Sequence, residues 1–138
     1  MTTNDAGQHR PPPADPSTDL FASFRAAVAA RDPDAAVSLF AEDVRFASPV
    51  VHQPYVGREP LRVILTAVMD VFEDFRYTAE FGGPDGHVLQ FEARVGDRRV
   101  EGVDILRASD GILTELTVMV RPYSAATALR ERMASLLG

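Results

Sequence analysis

The second half of the chain constrains the fold most, because it holds four consecutive segments with the composition of β-strands. The breaks between them are short and contain glycine, and Gly96-Asp97 and Asp110-Gly111 are typical of tight hairpin turns. Strands joined by such turns pair with their neighbours in sequence, which predicts an antiparallel sheet. The four segments cover about 75–82, 87–95, 98–108 and 112–121.

Helical patterns lie on both sides of these strands. A helix is expected from about Ser17, and a second follows at 33–41 with Asp32 as its N-cap. An early strand at 43–48 comes before a third helix at 58–73, and a last helix follows Pro122. Helices segregated from strands indicate an α+β fold. A long antiparallel sheet curls as it twists, so we expect a curved sheet packed with the N-terminal helices around a pocket.

The length of 138 residues fits one domain with one core. Residues 1–16 are polar and rich in proline, so we expect a disordered tail there and a single domain over 17–138. No stretch approaches the ~20 apolar residues of a membrane span. The polar N-terminus also lacks the apolar segment of a signal peptide, so a cytoplasmic protein is expected.

Charge and composition exclude several classes of function. A net charge of -6 argues against nucleic acid and anionic membranes, both of which are bound through clustered Lys and Arg. The chain has no cysteine and three scattered histidines, so it offers no disulfide framework and no zinc signature. Phosphate-binding and dinucleotide-binding glycine motifs are absent as well. We expect neither a metal nor a cofactor.

Asp104 is the first candidate for chemistry. In a strand with a period of two residues it shares a face with Val100, Gly102 and Leu106, which is an apolar face with one carboxylate and one gap. A buried carboxylate must pair, take up a proton or serve a ligand. It is therefore either a general acid/base or a structural group bonded to a neighbour such as Tyr55.

Glu92 and Gln90 are the next candidates. If their face of the strand lines the pocket, Glu92 adds a second carboxylate beside Asp104, and two such groups can divide acid and base roles. The alternative places Phe91 and Ala93 inside and leaves Glu92 on a solvated face.

The loop before the third helix carries two further candidates, His52 and Tyr55. Loops at the mouth of a scaffold often carry function, and a histidine can act as a general base near neutral pH. The alternative is a surface histidine in a turn shaped by proline.

Three stretches carry a resemblance to a known family. They are Ala30–Pro49 (ARDPDAAVSLFAEDVRFASP), Gly57 leading into the third helix, and Glu101–Glu115 (EGVDILRASDGILTE). Together they resemble the nuclear transport factor 2-like superfamily, and most closely its SnoaL-like branch of polyketide cyclases, ketosteroid isomerases and limonene epoxide hydrolases. The resemblance covers about residues 18–123. It implies an α+β cone with a deep pocket, and a homodimer formed through the outer face of the sheet.

The same resemblance allows a comparison of catalytic positions. The general-base aspartate of the ketosteroid isomerases falls at Ser48, their oxyanion tyrosine at Phe24, and their protonated aspartate at Asp104. That isomerase is the standard example of a carboxylic acid kept neutral by an apolar site. The epoxide hydrolases use an Asp-Arg-Asp set, which here corresponds to a reversed Glu92/Arg94 pair and to Val118. Both sets are incomplete, which argues against chemistry of either exact type.

These observations lead to two hypotheses. The first is a cofactor-free acid/base enzyme acting on a small apolar metabolite as a cyclase, isomerase or hydrolase, in which Asp104 is assisted by Tyr55, His52 and Glu92. The second is a non-catalytic module of the same fold that binds a ligand or dimerises, and a third possibility is a domain that only stabilises a partner protein. In the first two, the pocket is expected to be lined by Phe24, Phe46, Ser48, Val68, Phe72, Gln90, Leu116 and Val118.

Overall fold

The computed structural model describes residues 16–137. The predicted tail lies almost wholly outside these residues, and its disorder stays a prediction. The described part of the chain contains four helices and six strands, and the last four strands follow one another without an intervening helix. The helices are α1 (Pro16–Ala29), α2 (Pro33–Val37), α3 (Arg58–Val71) and α4 (Tyr123–Leu137). The strands are β1 (Phe40–Ala47), β2 (Tyr55–Val56), β3 (Glu73–Gly82), β4 (Gly86–Val95), β5 (Arg98–Ser109) and β6 (Ile112–Arg121).

The helix boundaries follow local sequence signals. Asp32 caps α2, and its side chain accepts a hydrogen bond from the Ala35 amide at 3.1 Å, as the sequence predicts. Helix α2 ends at Val37, earlier than expected, because Phe40 already belongs to β1. Tertiary packing decides this boundary, since Phe40 is fully buried in the strand.

The six strands form one sheet in the order β2-β1-β6-β5-β4-β3. Strands β3 to β6 pair antiparallel with their neighbours, as the hairpin signals predict. Strand β1 pairs parallel with β6, which no local pattern indicates because almost the whole domain separates the two strands. The sheet is therefore mixed rather than purely antiparallel, within the predicted α+β class.

One face of the sheet is covered by helices and carries the core. Along β4 the buried residues alternate with half-exposed ones, and Phe91 and Ala93 face inward. Register irregularities occur in the β1–β6, β3–β4 and β5–β6 pairs. Such irregularities bend a strand and increase its twist, which curves the sheet around the helices. None of the helices between residues 16 and 137 is long and apolar enough to cross a membrane.

Candidate functional site

A cavity of about 250 Å³ lies between the inner face of the sheet and the helices α1, α3 and α4. This volume is near the lower end of the roughly 300–1,000 Å³ typical of small-molecule pockets. Most of the wall is aromatic or aliphatic. The lining residues include seven of the eight predicted wall positions, namely Phe24, Phe46, Ser48, Val68, Phe72, Leu116 and Val118.

Asp104 contributes a carboxyl group to this apolar wall. It lies on the central strand β5, between Leu89 of β4 and Val118 of β6, and is 7% exposed. Alternation along β5 buries Val100, Gly102 and Leu106 on the same face, as the strand period predicts. Among residues 20–137, Asp104 is the only polar or charged residue that is buried.

Tyr77 holds one oxygen of this carboxyl group. Its hydroxyl donates a hydrogen bond to Asp104 Oδ2 at 2.7 Å. Tyr77 lies on β3, and β4 separates this strand from β5, so its side chain extends across β4 to reach Asp104. No side chain between residues 20 and 137 donates a hydrogen bond to the other oxygen, Oδ1. Asp104 therefore retains an acceptor site in a cavity with few other polar groups.

Burial sets the protonation of both groups. Loss of hydration raises the pKa of Asp104 from 3.8 to about 7, against the smaller lowering effect of the Tyr77 hydrogen bond. Burial and the neighbouring carboxylate together raise the pKa of Tyr77, so the phenol stays protonated. Asp104 thus exchanges its proton near neutral pH while Tyr77 remains a hydrogen-bond donor.

Tyr55 and Ser48 are two further polar residues of the cavity lining. Tyr55 lines the cavity deeper in and stacks on Phe46, with ring centroids 6.0 Å apart. The Ser48 hydroxyl, also in the lining, accepts a hydrogen bond from the Val50 amide at 3.1 Å. The mouth of the cavity is defined by the lining residues that are exposed to solvent, which are Arg31, Val51, Arg130, Ala134 and Leu137.

Three predicted site residues do not reach the cavity. His52 is exposed in the loop before β2 and is not in the lining. Gln90 and Glu92 lie on the opposite face of β4, because alternation along that strand directs Phe91 into the cavity. Glu92 instead forms an ion pair with Arg76, at 2.6 Å, on the outer face. The structure therefore supports the alternative in which Phe91 faces inward.

The sequence reasoning did not single out Tyr77, Arg31 or Arg130. A signal for Tyr77 was present: Phe75 and Tyr77 are two residues apart in a strand, which places both aromatic rings on one face. Both rings line the cavity and pack against Phe91. The arginines carry no comparable signal, because one follows a helix and the other lies on a helix rich in charges.

No three His, Cys, Asp or Glu side chains among residues 20–137 come close enough together to hold a metal ion. The polar groups of the cavity lining can exchange protons and form hydrogen bonds with a ligand. The lining offers one carboxyl, two phenols, one serine hydroxyl and two guanidinium groups for this purpose.

Comparison with known proteins adds a family and a set of similar folds. A family model described as the SnoaL-like domain matches residues 21–116. A solved steroid delta-isomerase from Pseudomonas aeruginosa is 36% identical, with a TM-score of 0.86 over 93% of this chain and 96% of that chain. An uncharacterized protein with a cystatin-like fold from Silicibacter pomeroyi is 33% identical, with a TM-score of 0.81 over 84% and 83% of the two chains.

More distant structures share the fold alone. An NTF2-like protein of unknown function from Cytophaga hutchinsonii is 18% identical, with a TM-score of 0.62 over 78% of this chain and 92% of that chain. A search of curated proteins finds no match.

Proposed function

Because the chain belongs to the SnoaL-like domain family, we propose that its cavity binds a small apolar molecule and that Asp104 performs acid/base chemistry on it without a cofactor. One observation carries the proposal. A carboxyl group that titrates near neutral pH stands in an apolar cavity with one oxygen held by Tyr77 and the other left for a ligand. A general acid or base works best when its pKa lies near the working pH.

The proton inventory of the site follows from these contacts. Protonated Asp104 gives its proton to an oxygen atom of the ligand, such as a carbonyl, and becomes a carboxylate. The Tyr77 hydroxyl, 2.7 Å from Oδ2, stabilises that carboxylate. The carboxylate then takes a proton from the carbon next to the carbonyl, which turns the ketone into its enol and restores protonated Asp104. In an isomerisation, Asp104 next protonates a different carbon of the enol and then accepts the enol O–H proton, so it ends the cycle protonated.

The similarity to a steroid delta-isomerase supports chemistry of this class. Two lining residues differ from the catalytic residues of the ketosteroid isomerases. Phe24 and Ser48 occupy the positions that the resemblance assigns to an oxyanion tyrosine and a general-base aspartate. Phe24 has no hydroxyl group to donate a hydrogen bond, and Ser48 cannot take up a proton at neutral pH, so the proposed reaction depends on Asp104 and Tyr77.

An assay with small β,γ-unsaturated ketones and epoxides tests the proposal, with product formation followed by absorbance or chromatography. We expect Asp104→Asn to lower kcat/KM by about 10²–10⁴-fold, the usual contribution of a general acid or base. Tyr77→Phe is expected to lower it less, because the carboxyl group remains. The matched control is Asp97→Asn, since that side chain is 97% exposed. Equal turnover by the wild type and Asp104→Asn would contradict a catalytic role for Asp104.

A non-catalytic ligand-binding module is the second candidate. It is favoured by the lining that residues 20–137 supply, in which Asp104 is the single carboxyl group and there is no histidine to share the proton transfer. The same ligands then raise the melting temperature of the wild type and are recovered unchanged after prolonged incubation. Turnover that depends on Asp104 would exclude this reading.

We also propose that two copies of the chain pair through the outer face of the sheet. The helices between residues 16 and 137 pack on the inner face, and the outer face carries a small apolar centre at Val103, Ile105 and Met119. Val103 and Met119 are directly paired across β5 and β6, and Met119 is 56% exposed. Ion pairs such as Arg121–Glu101 lie at the edge of this centre. An apolar centre with a charged rim is the usual pattern of a protein interface.

A further inference from the structure

Two arginines stand at the mouth of the cavity. Arg31 lies between α1 and α2, Arg130 lies on α4, and both are exposed lining residues. Among residues 20–137, whose side chains the structure describes, no carboxylate forms an ion pair with either guanidinium group. Other exposed arginines, such as Arg25 and Arg76, are paired with glutamates. Both guanidinium groups are therefore available to pair with an anionic group of a ligand.

The backbone at Arg31 is in a conformation that normally selects glycine. Its φ is 55°, and it follows α1 at the point where the Arg31 amide bonds to Val28 O and the Asp32 amide to Ala27 O, both at 3.0 Å. This is the Schellman arrangement, in which the left-handed position is usually occupied by glycine because a Cβ is crowded there. An arginine at this position carries an energetic cost, and such costs are typical of sites where the side chain has a function.

From these observations we infer that the ligand is an amphipathic anion: an apolar body with a carboxylate that pairs with Arg31 and Arg130 at the mouth. This inference rests on the proposed ligand-binding function and specifies its substrate class. The deep wall is apolar and the buried polar group is Asp104, so an anionic group cannot be hydrated or paired inside. At the mouth, water remains accessible and two guanidinium groups supply the counter-charge. The ligand therefore enters with its apolar end first.

Competition binding with a matched pair of small molecules tests this inference. The neutral fluorescent dye N-phenyl-naphthylamine reports occupancy of the cavity, and octanoate and octanol displace it. The buffer is mildly acidic, so that octanoate is ionised while Asp104 holds its proton. The double variant Arg31→Gln/Arg130→Gln is expected to bind octanoate about three- to tenfold more weakly, as for the loss of exposed ion pairs, with octanol unchanged. Arg132→Gln is the matched control, because Arg132 is exposed on the same helix and outside the lining.

A second variant separates a binding role from a structural one. Arg31→Gly relieves the left-handed backbone, so we expect its melting temperature to rise while its affinity for octanoate falls. Arginine stems that merely cover apolar surface would leave the octanoate-to-octanol ratio unchanged in the double variant, and this result would overturn the inference alone. Failure of the dye, octanol and octanoate to bind the wild type would overturn the proposed pocket function as well.

Discussion

Asp104 and Tyr77 form the pair on which the chemistry of this protein depends. Their side chains come from β5 and β3, with β4 between them, and meet at 2.7 Å. Burial raises the pKa of the carboxyl group to about 7, and the Tyr77 hydrogen bond acts in the opposite direction. The pair thus keeps a proton available near neutral pH in a site from which bulk water is largely excluded.

The raised pKa makes the stability of the protein depend on pH. The folded chain holds the Asp104 proton more tightly than the unfolded chain, so stability falls as pH rises from about 4 to about 7 and then levels off. Each tenfold difference in proton affinity corresponds to about 1.4 kcal/mol, which gives a change of a few kcal/mol over this window. The Asp104→Asn variant has no carboxyl group at this position, so this fall in stability with rising pH should be absent from it. Urea unfolding at a series of pH values checks it, and parallel curves for wild type and variant would contradict the account.

Sequence reasoning found Asp104 but not its partner. The period of β5 shows that Asp104 shares a face with three apolar or small residues, which is enough to predict a buried carboxyl group. Its partner depends on how far the sheet curves, because Tyr77 must reach over a whole strand. Curvature arises from register irregularities and packing, and these are not encoded in the local pattern.

Among the secondary-structure elements, β4 and β5 approach each other closely at Gly102, where the Phe91 ring packs against the glycine backbone. A Cβ built on Gly102 would lie 2.5 Å from the Phe91 ring and 2.6 Å from the Met119 carbonyl oxygen. The missing side chain leaves the space that the ring occupies. Phe91 then stacks on Phe75, with centroids 4.8 Å apart, and forms part of the cavity wall. The gap noted beside Asp104 in the sequence is therefore filled from the neighbouring strand.

Gly102→Ala is expected to destabilise the fold and to narrow the cavity. The new methyl group must displace the Phe91 ring, and such overpacking typically costs about 1–3 kcal/mol. Chemical unfolding measures the loss, and weaker dye binding reports the change in the cavity. Gly83→Ala is the matched control, because nothing lies within 4 Å of a Cβ at that position. Equal stability of the two variants would show that the contact at Gly102 is not tight.

The orientation of β4 shows what a sequence can and cannot decide at this scale. The strand has a hydrophobic set with Leu89, Phe91 and Ala93 and a polar set with Gln90 and Glu92. Strand periodicity separates these two sets but does not say which of them faces inward. The size of Phe91 favours the hydrophobic set as the inner one, whereas a polar pocket would require the set with Gln90 and Glu92. Packing resolves the choice in favour of Phe91, and Glu92 pairs with Arg76 outside.

At the scale of the whole molecule, the helices leave one face of the sheet uncovered. The α+β class, the curved sheet and the family resemblance were predictable from element order and from the motifs around Asp32 and Glu101, and all three are confirmed. The parallel pairing of β1 with β6 was not predictable, since it joins the two ends of the domain.

The uncovered face leads to a prediction about assembly. The wild type is expected to be a dimer in solution, and Met119→Lys is expected to shift it to a monomer by placing a charge in the apolar centre of the interface. Light scattering coupled to size-exclusion chromatography measures the mass. Val63→Lys is the control, because Val63 is also exposed, at 46%, but lies on α3. A dimer that persists unchanged in Met119→Lys would place the interface elsewhere.

Carbon NMR of the aspartate carboxyl groups measures whether Asp104, in the ligand cavity, exchanges its proton near neutral pH. The Asp104 signal is the one that Asp104→Asn lacks. We expect a pKa of about 7 for Asp104 in the free protein. Saturation with cyclohexanone should raise it further, since a ketone only accepts hydrogen bonds and so stabilises the protonated acid. Titration near the ~3.9 of a solvated aspartate, unchanged by the ketone, would contradict the account.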